Sequence, residues 1–296
     1  MDFSKLDDKH VFVTGAADGI GAALARLFRG AGARVFLCDV AEERLRETAH
    51  ALDAPFAACD VRNTTSLARV VERAWRELGG LDLVCANAGV VCQGPILETS
   101  REDLDWIFDI NVRGVLDTCR PFVRLLRENK RPGHILITGS EAALSYPRLI
   151  HAMQITAYLM TKHSVLALAD GLRADLAGES IGVSVLCPGP VATSLSQNSN
   201  ALRPASTAGA NVARSGPAST TSMSPARVPP ASIGLSADAQ EQLRTLSLTP
   251  DDIAARALEG LRRGLFVIPT HPHIASDVEH RYDEIRAGLA ALPPTS

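Results

Sequence analysis

Apolar residues along this chain come in two alternating rhythms. Short runs rich in β-branched side chains fall at His10–Thr14, Arg34–Cys38, Phe56–Cys59, Leu81–Cys85, Ile135–Thr138, Gly182–Cys187 and Leu265–Ile268. Between and after them, apolar positions recur at helical spacing over 19–30, 41–52, 64–78, 101–127, 157–177, 250–263 and 274–290. Strands without polar alternation, separated by helices, predict a parallel sheet covered on both faces. Right-handed crossovers then make a doubly wound α/β sheet of about seven strands the expected topology. Leu265–Ile268, stopped by Pro269, is expected at the sheet edge. Thr249 and Pro250 suit the cap and the first position of the helix that follows them.

The rhythm breaks from Ser194 to Ser236. These 43 residues are mainly Ser, Ala, Thr, Pro, Gly and Asn with no aromatic and no acid, and their charges are Arg203, Arg214 and Arg227. Such a composition buries too little apolar surface to offset its ordering entropy, which predicts a disordered insertion. Long loops in α/β domains also serve as lids, so ordering over a ligand stays open. No internal repeat and no second core is legible. The expected organisation is one domain over 1–296, with 194–248 a flexible lid and 249–296 a helix-strand-helix extension.

Composition narrows the class. At 46% hydrophobic and 21% charged over 296 residues, the chain can bury a sizeable core. Thirty basic against thirty-three acidic residues leave a net charge of −3, which argues against a nucleic-acid or anionic-membrane binder. No apolar run approaches the roughly 18–20 residues of a membrane helix. The opening MDFSKLDDKH has charges of both signs and no apolar stretch, so it does not read as a secretory signal. Of six cysteines, Cys38, Cys59, Cys85 and Cys187 sit in or beside apolar runs, where cysteine packs as a small core residue. The expectation is a soluble, reduced, cytoplasmic protein.

Candidate chemistry begins where the first strand runs into Thr14-Gly15-Ala16-Ala17-Asp18-Gly19-Ile20-Gly21. Glycine there permits a sharp turn and a close approach of backbone to a pyrophosphate, while the following helix offers its N-terminal N–H groups. A strand before, a helix after, and a second strand ending in an acid are the context that makes this pattern a dinucleotide loop. Gly15, Asp18, Gly19 and Ile20 are its expected contacts. Asp39 ends the second strand, where a carboxylate accepts hydrogen bonds from the adenosine ribose and repels a 2′-phosphate. No Lys or Arg lies between Gly15 and Gly21, and Val40 follows the acid, so NAD is favoured over NADP.

At this point the sequence resembles the short-chain dehydrogenase/reductase family. Gly15, Gly19 and Gly21 carry its TGxxxGxG spacing; Asp60-Val61, Asn87-Ala88-Gly89, Asn111-Val112-Arg113-Gly114, Ser140, Tyr158-Leu159-Met160-Thr161-Lys162 and Pro188-Gly189-Pro190-Val191-Ala192-Thr193 follow in the family's order over about residues 8–193. The resemblance implies a Rossmann-type domain and a homo-oligomer, a dimer or tetramer. It also implies adenine contact at Asp60 and Val61, and cofactor support from Asn87, Ala88, Gly89, Pro188 and Gly189. Val191 and Thr193 would touch the nicotinamide carboxamide, Lys162 would hold the nicotinamide ribose, and Asn111 would place a water between that lysine and bulk solvent. The tail departs from the family's usual ending and resembles a bacterial subgroup that includes dehydrogenases of lignin-derived aryl alcohols.

The reacting centre can be argued from side chains. Tyr158 and Lys162, at i and i+4, share one helix face. A free tyrosine is a poor base at neutral pH; a nearby lysine cation and a positive nicotinamide ring favour its phenolate. Tyr158 can then take a proton from a substrate hydroxyl, or return one to a carbonyl, while Ser140 stabilises the same oxygen. Ser140 lies eighteen positions before Tyr158, a longer interval than the family usually shows, and Ser145 is the other candidate. Ser140 is preferred because it directly follows the strand.

The pocket should be walled by Val91, Cys92 and Gln93, by Glu141–His151, by Gln154 and Ile155, and by the lid. These are mostly apolar, with Arg148 or a lid arginine the available cations, so a neutral, moderately apolar alcohol or ketone is the expected substrate. His271-Pro272-His273 reads as a surface turn rather than a metal pair. Cys85 and Cys92 read as core, and Trp75 and Trp106 as core or interface anchors. The reading is an NAD-dependent oxidoreductase of secondary alcohols and ketones, with Asn111, Ser140, Tyr158 and Lys162 catalytic and no metal. An NADPH-dependent carbonyl reductase and a catalytically silent dinucleotide sensor are the alternatives.

Overall fold

The computed structural model describes residues 2–146, 148–204 and 237–293. Their frame is a parallel sheet of β1 (His10–Thr14), β2 (Arg34–Asp39), β3 (Phe56–Ala58), β4 (Leu83–Ala86), β5 (Gly133–Thr138), β6 (Ile181–Cys187) and β7 (Val267–Pro269). The spatial order is β3-β2-β1-β4-β5-β6-β7. Order reverses between β1 and β4, which opens a crevice at the carboxyl ends of those two strands. The last strand is an edge strand, as its terminal proline demands.

Helices α1 (Gly19–Gly30), α2 (Glu42–Leu52) and α9 (Pro250–Arg262) cover one face. Helices α3 (Thr64–Leu78), α4 (Arg101–Phe108), α5 (Gly114–Asn129) and α6 (Thr156–Asp175) cover the other. Successive strand residues serve the two layers in turn: Val11 and Val13 face Phe28 of α1, while Phe12 and Phe36 stack at 5.9 Å toward α3. This is why the strands carry no polar alternation. Each such side chain stabilises the fold by about 1.5–3 kcal/mol on burial. Local signals set the helix ends. Asn63 accepts from Ser66 N at the start of α3, and Thr249 with Asp252 forms a capping box on α9. Trp106 is buried in the α3–α6 layer and Trp75 packs against it.

Three expectations change. The apolar period over 101–127 is interrupted by a π-helical turn, Asp109–Arg113, between α4 and α5. A segment read as irregular contains α7 (Leu195–Leu202), and α8 (Ala237–Leu246) precedes the capped α9. Residues 205–236, the bulk of the expected lid, lie outside the described residues. Lastly, α10 (Ala275–Ala290) forms over the expected range but buries none of its residues.

Candidate active site

Three strand ends are tied at the crevice by one side chain. Asn87 Nδ2 donates to the carbonyls of Thr14 (3.0 Å) and Gly15 (3.3 Å), and its Oδ1 accepts from Thr138 Oγ1 at 2.9 Å. Thr14 Oγ1 in turn accepts from the amides of Asn87 and Ala88. The glycine loop is packed on this knot so tightly that a Cβ on Gly21 would lie 2.0 Å from the Gly15 carbonyl oxygen. Gly15 itself has φ +66°, a backbone state that side chains disfavour.

Asp18 caps α1, accepting from Gly19 N at 2.6 Å. Helix geometry leaves the next N–H groups of the first turn without intrahelical acceptors, aimed into the cleft. Asp39 receives Ala17 N on Oδ2 (3.0 Å) and Ala41 N on Oδ1 (2.9 Å), so its carboxylate is held rigidly at the cleft wall with lone pairs to spare. These features fit the pyrophosphate and ribose of a dinucleotide. Asp60 lines the same cleft with Val61, but Arg62 grips its carboxylate through Nε and Nη2, and that contact opposes the rise that burial would cause.

Arg44, on the first turns of α2, also lines the cleft beside Asp39. It donates to Asn198 Oδ1 at 2.9 Å, while Asn198 Nδ2 reaches Asp18 Oδ2 at 3.1 Å. It lies outside the Gly15–Gly21 stretch, five residues past Asp39, so the loop's own sequence does not reveal it. Helix α7 is fastened at two further points: Val91 N donates to Ser199 Oγ at 2.9 Å, and Arg203 clasps the buried carboxylate of Asp103.

Ser140, Tyr158 and Lys162 meet on one wall of this cleft. The Ser140 hydroxyl is hydrogen-bonded to Tyr158, but burial is the larger influence and pushes the phenol up to about 12. The expected lowering by Lys162 is absent from this state: its Nζ lies 5.4 Å from the Tyr158 ring centre and donates to Thr138 O at 2.8 Å. Burial also draws the lysine down to about 8. Ser145 is buried outside the cleft lining, with no hydrogen-bond partner for its Oγ among the described residues.

Asn111 sits in the π-helical turn. Its Oδ1 accepts from Val90 N, and its Nδ2 donates to Val90 O and to Thr161 Oγ1. Gly89 keeps a space open beside it: a Cβ there would stand 3.4 Å from Asn111 Oδ1 and 3.7 Å from Lys162 Nζ. The turn Pro188-Gly189 and the residues Val191 and Thr193 complete the lining.

Two expectations about the surroundings need correction. Val91 and Ile155 pack with Ala142, Ile150 and Leu159 into a small apolar cluster, and Cys92 joins the α3–α6 core; the wall presented to the cleft is Val90, Leu195, Ser199 and Leu202. The His271-Pro272-His273 turn is not at the surface on its His271 side. His271 is buried, its Nε2 lies 3.1 Å from Leu246 O, and its Nδ1 accepts from Gly189 N at 3.1 Å. Beside it, His273 Nε2 stands 3.2 Å from Glu141 Oε2, and burial raises that carboxyl to about 8.

Among known proteins, the short chain dehydrogenase family description matches residues 9–203. A 1-deoxy-11-beta-hydroxypentalenate dehydrogenase of Streptomyces exfoliatus is 37% identical over 205 residues, 67% of this chain and 73% of that protein. A probable oxidoreductase, EphD of Mycobacterium tuberculosis, is 33% identical over 64% of this chain and 32% of its own longer length. A crystal structure of a short chain dehydrogenase/reductase from Burkholderia phymatum in complex with NAD superposes with a TM-score of 0.79, at 29% identity over 99% of both chains.

Proposed function

The chain belongs to the short-chain dehydrogenase family, an oxidoreductase family using a nicotinamide dinucleotide, and from that premise we propose an NAD-linked interconversion of a secondary alcohol and a ketone. The observation that carries the proposal is the convergence of Ser140, Tyr158 and Lys162 at one end of a cleft whose other end is the glycine loop and Asp39. The cofactor, when bound, would supply the hydride acceptor in its oxidised form, which also brings a positive ring, and the hydride donor in its reduced form. Asp39 would hold the adenosine ribose, the loop and the start of α1 the pyrophosphate, and Lys162 the second ribose.

The chain's own part is the proton. In reduction, Tyr158, whose burial favours the protonated phenol, donates to the carbonyl oxygen. In oxidation it takes the hydroxyl proton of the substrate. The Ser140 hydroxyl stabilises the same oxygen as its charge develops. Lys162 lies beneath, and the space that Gly89 leaves between its ammonium and Asn111 admits a water through which the proton passes onward. Asn111, fixed on Val90, positions that water.

A neutral, moderately apolar substrate is supported by Val90, Leu195 and Leu202 on the wall and, among the described side chains, by the engagement of Arg44 with Asn198 and of Arg203 with Asp103. Arg44 beside Asp39 is also the one observation that favours NADP as cofactor. The test is reduced-cofactor formation from NAD and from NADP, with aryl, alicyclic and hydroxypentalenate-like secondary alcohols, beside Tyr158→Phe. Turnover with NAD that the variant loses supports the proposal. Preference for NADP would overturn the cofactor assignment, and turnover surviving in the variant would overturn the role of Tyr158.

A further inference from the structure

None of the sixteen residues of α10 is buried, yet its apolar side chains are aligned. Val278 is half-buried at one end, and Tyr282, Ile285, Leu289 and Leu292 are 54, 48, 61 and 65% exposed. Within the helix the steps are four, three and four residues, and Leu292, just past its end, continues the row. Such spacing keeps these side chains on one face of the helix. The other large exposed apolar residues, Val40, Leu97, Tyr146, Met160 and Leu202, are scattered over separate segments. A helix of about this length is marginal in water without a packed face, so α10 needs a cover.

The residues beside the stripe say what covers it. One flank carries Glu279 and Arg286; the other carries Arg281 and Gly288. We propose that α10 docks antiparallel against α10 of a second copy of this chain. In that arrangement Tyr282 faces the partner's Ile285, Val278 faces the partner's Leu289, and Glu279 lies beside the partner's Arg286. Two-fold symmetry repeats each contact, so both charges on this flank are matched twice. A parallel pair would set Arg281 against the partner's Arg286, a like-charge contact. Among the described residues Arg286 pairs with Asp283 of its own chain, an exposed pair at three-residue spacing that exchanges at little cost.

The experiment is light-scattering mass measurement of the full chain over a dilution series, with NAD binding and thermal unfolding as folding controls. Because α10 buries nothing within its own chain, its variants keep NAD binding unchanged, and keep thermal unfolding unchanged at dilutions where the parent is monomeric. Ile285→Glu with Leu289→Glu should halve the particle mass at concentrations where the unaltered chain is associated. Glu279→Arg alone and Arg286→Glu alone should each weaken self-association about tenfold, and the two together should restore it. A chain that is monomeric throughout, or a mass unchanged by the stripe variant, overturns the proposal. Single and double charge reversals that behave alike overturn the antiparallel pairing.

Discussion

Asn111 holds Val90 by both of its backbone groups, accepting from the amide and donating to the carbonyl, each at 2.8 Å. That grip sits where the long helix between β4 and β5 opens into its π-helical turn, so the kink and the loop after β4 are one unit. Asn111→Ala leaves the Val90 amide and carbonyl short of a partner in a buried setting, at about 1–3 kcal/mol for each group left unsatisfied, while the Thr161 hydroxyl keeps its bond to Tyr158 O. The expected result is a melting temperature lower by several degrees together with loss of turnover, read by calorimetry and by cofactor absorbance.

Tyr158→Phe should separate chemistry from binding. The phenyl ring keeps the packing and removes only the hydroxyl that faces Ser140. Turnover should fall by at least about 100-fold, the usual contribution of a positioned acid or base. Cofactor affinity, followed by fluorescence titration, should change little.

Asp39→Ala removes the carboxylate that two backbone amides aim at the cleft. The kcat/KM with NAD should drop about tenfold, near 1.4 kcal/mol. Use of NADP should rise in relative terms, because the charge opposing a 2′-phosphate is gone while Arg44 stays. Steady-state rates with both cofactors decide it.

Gly89→Ala is sterically tolerable: the added Cβ would meet its neighbours at 3.4–3.8 Å, ordinary contact distances. It would nonetheless occupy the space between Asn111 Oδ1 and Lys162 Nζ. An unchanged melting temperature with a reduced kcat is expected. A kcat equal to the parent's would remove the water relay from the mechanism.

Glu141 gives a pH signature to stability. Its folded value, raised to about 8 by burial, lies above its ordinary value of 4.5, so the folded state holds a proton that the unfolded chain releases. The resulting stabilisation is complete below about pH 4.5 and is lost as pH rises toward 8. Glu141→Gln cannot ionise and should abolish that slope. Buried His134 and His271 and half-buried His273 have depressed values and slope the opposite way, so the variant-minus-parent difference in melting temperature from pH 5 to 8 reads Glu141 together with its contact to His273.

Much of the fold was legible because the inner strands are buried on both faces and so carry near-continuous apolar runs rather than a polar alternation. The glycine loop and Tyr158 with Lys162 were legible because their spacing is local. The π-helical turn was not: apolar positions run through Asp109–Arg113 at nearly the same period as in a regular helix, and the widening answers to Val90, twenty-one residues away. Arg44 and His271 escaped for the same reason. Their roles depend on Asn198 and on Gly189, partners that no short window contains. The stretch around α7 was read as irregular from composition alone, yet Ser199 and Asn198 are polar because they bond across the cleft rather than to water.

The Gly189 amide is supported by Thr270 and His271, which follow β7 near the far end of the chain. The family description matches residues 9–203, so this support comes from beyond the matched range. Chains emerge from the ribosome in order, and the glycine loop, Tyr158 and Lys162 are all made before the residues that brace the turn beside them. On the proposed function, a nascent chain would possess its reacting groups before the turn proposed to hold the nicotinamide is braced. Competence would then wait for the closing of the sheet edge, and a chain cut after residue 203 would carry those residues without that footing.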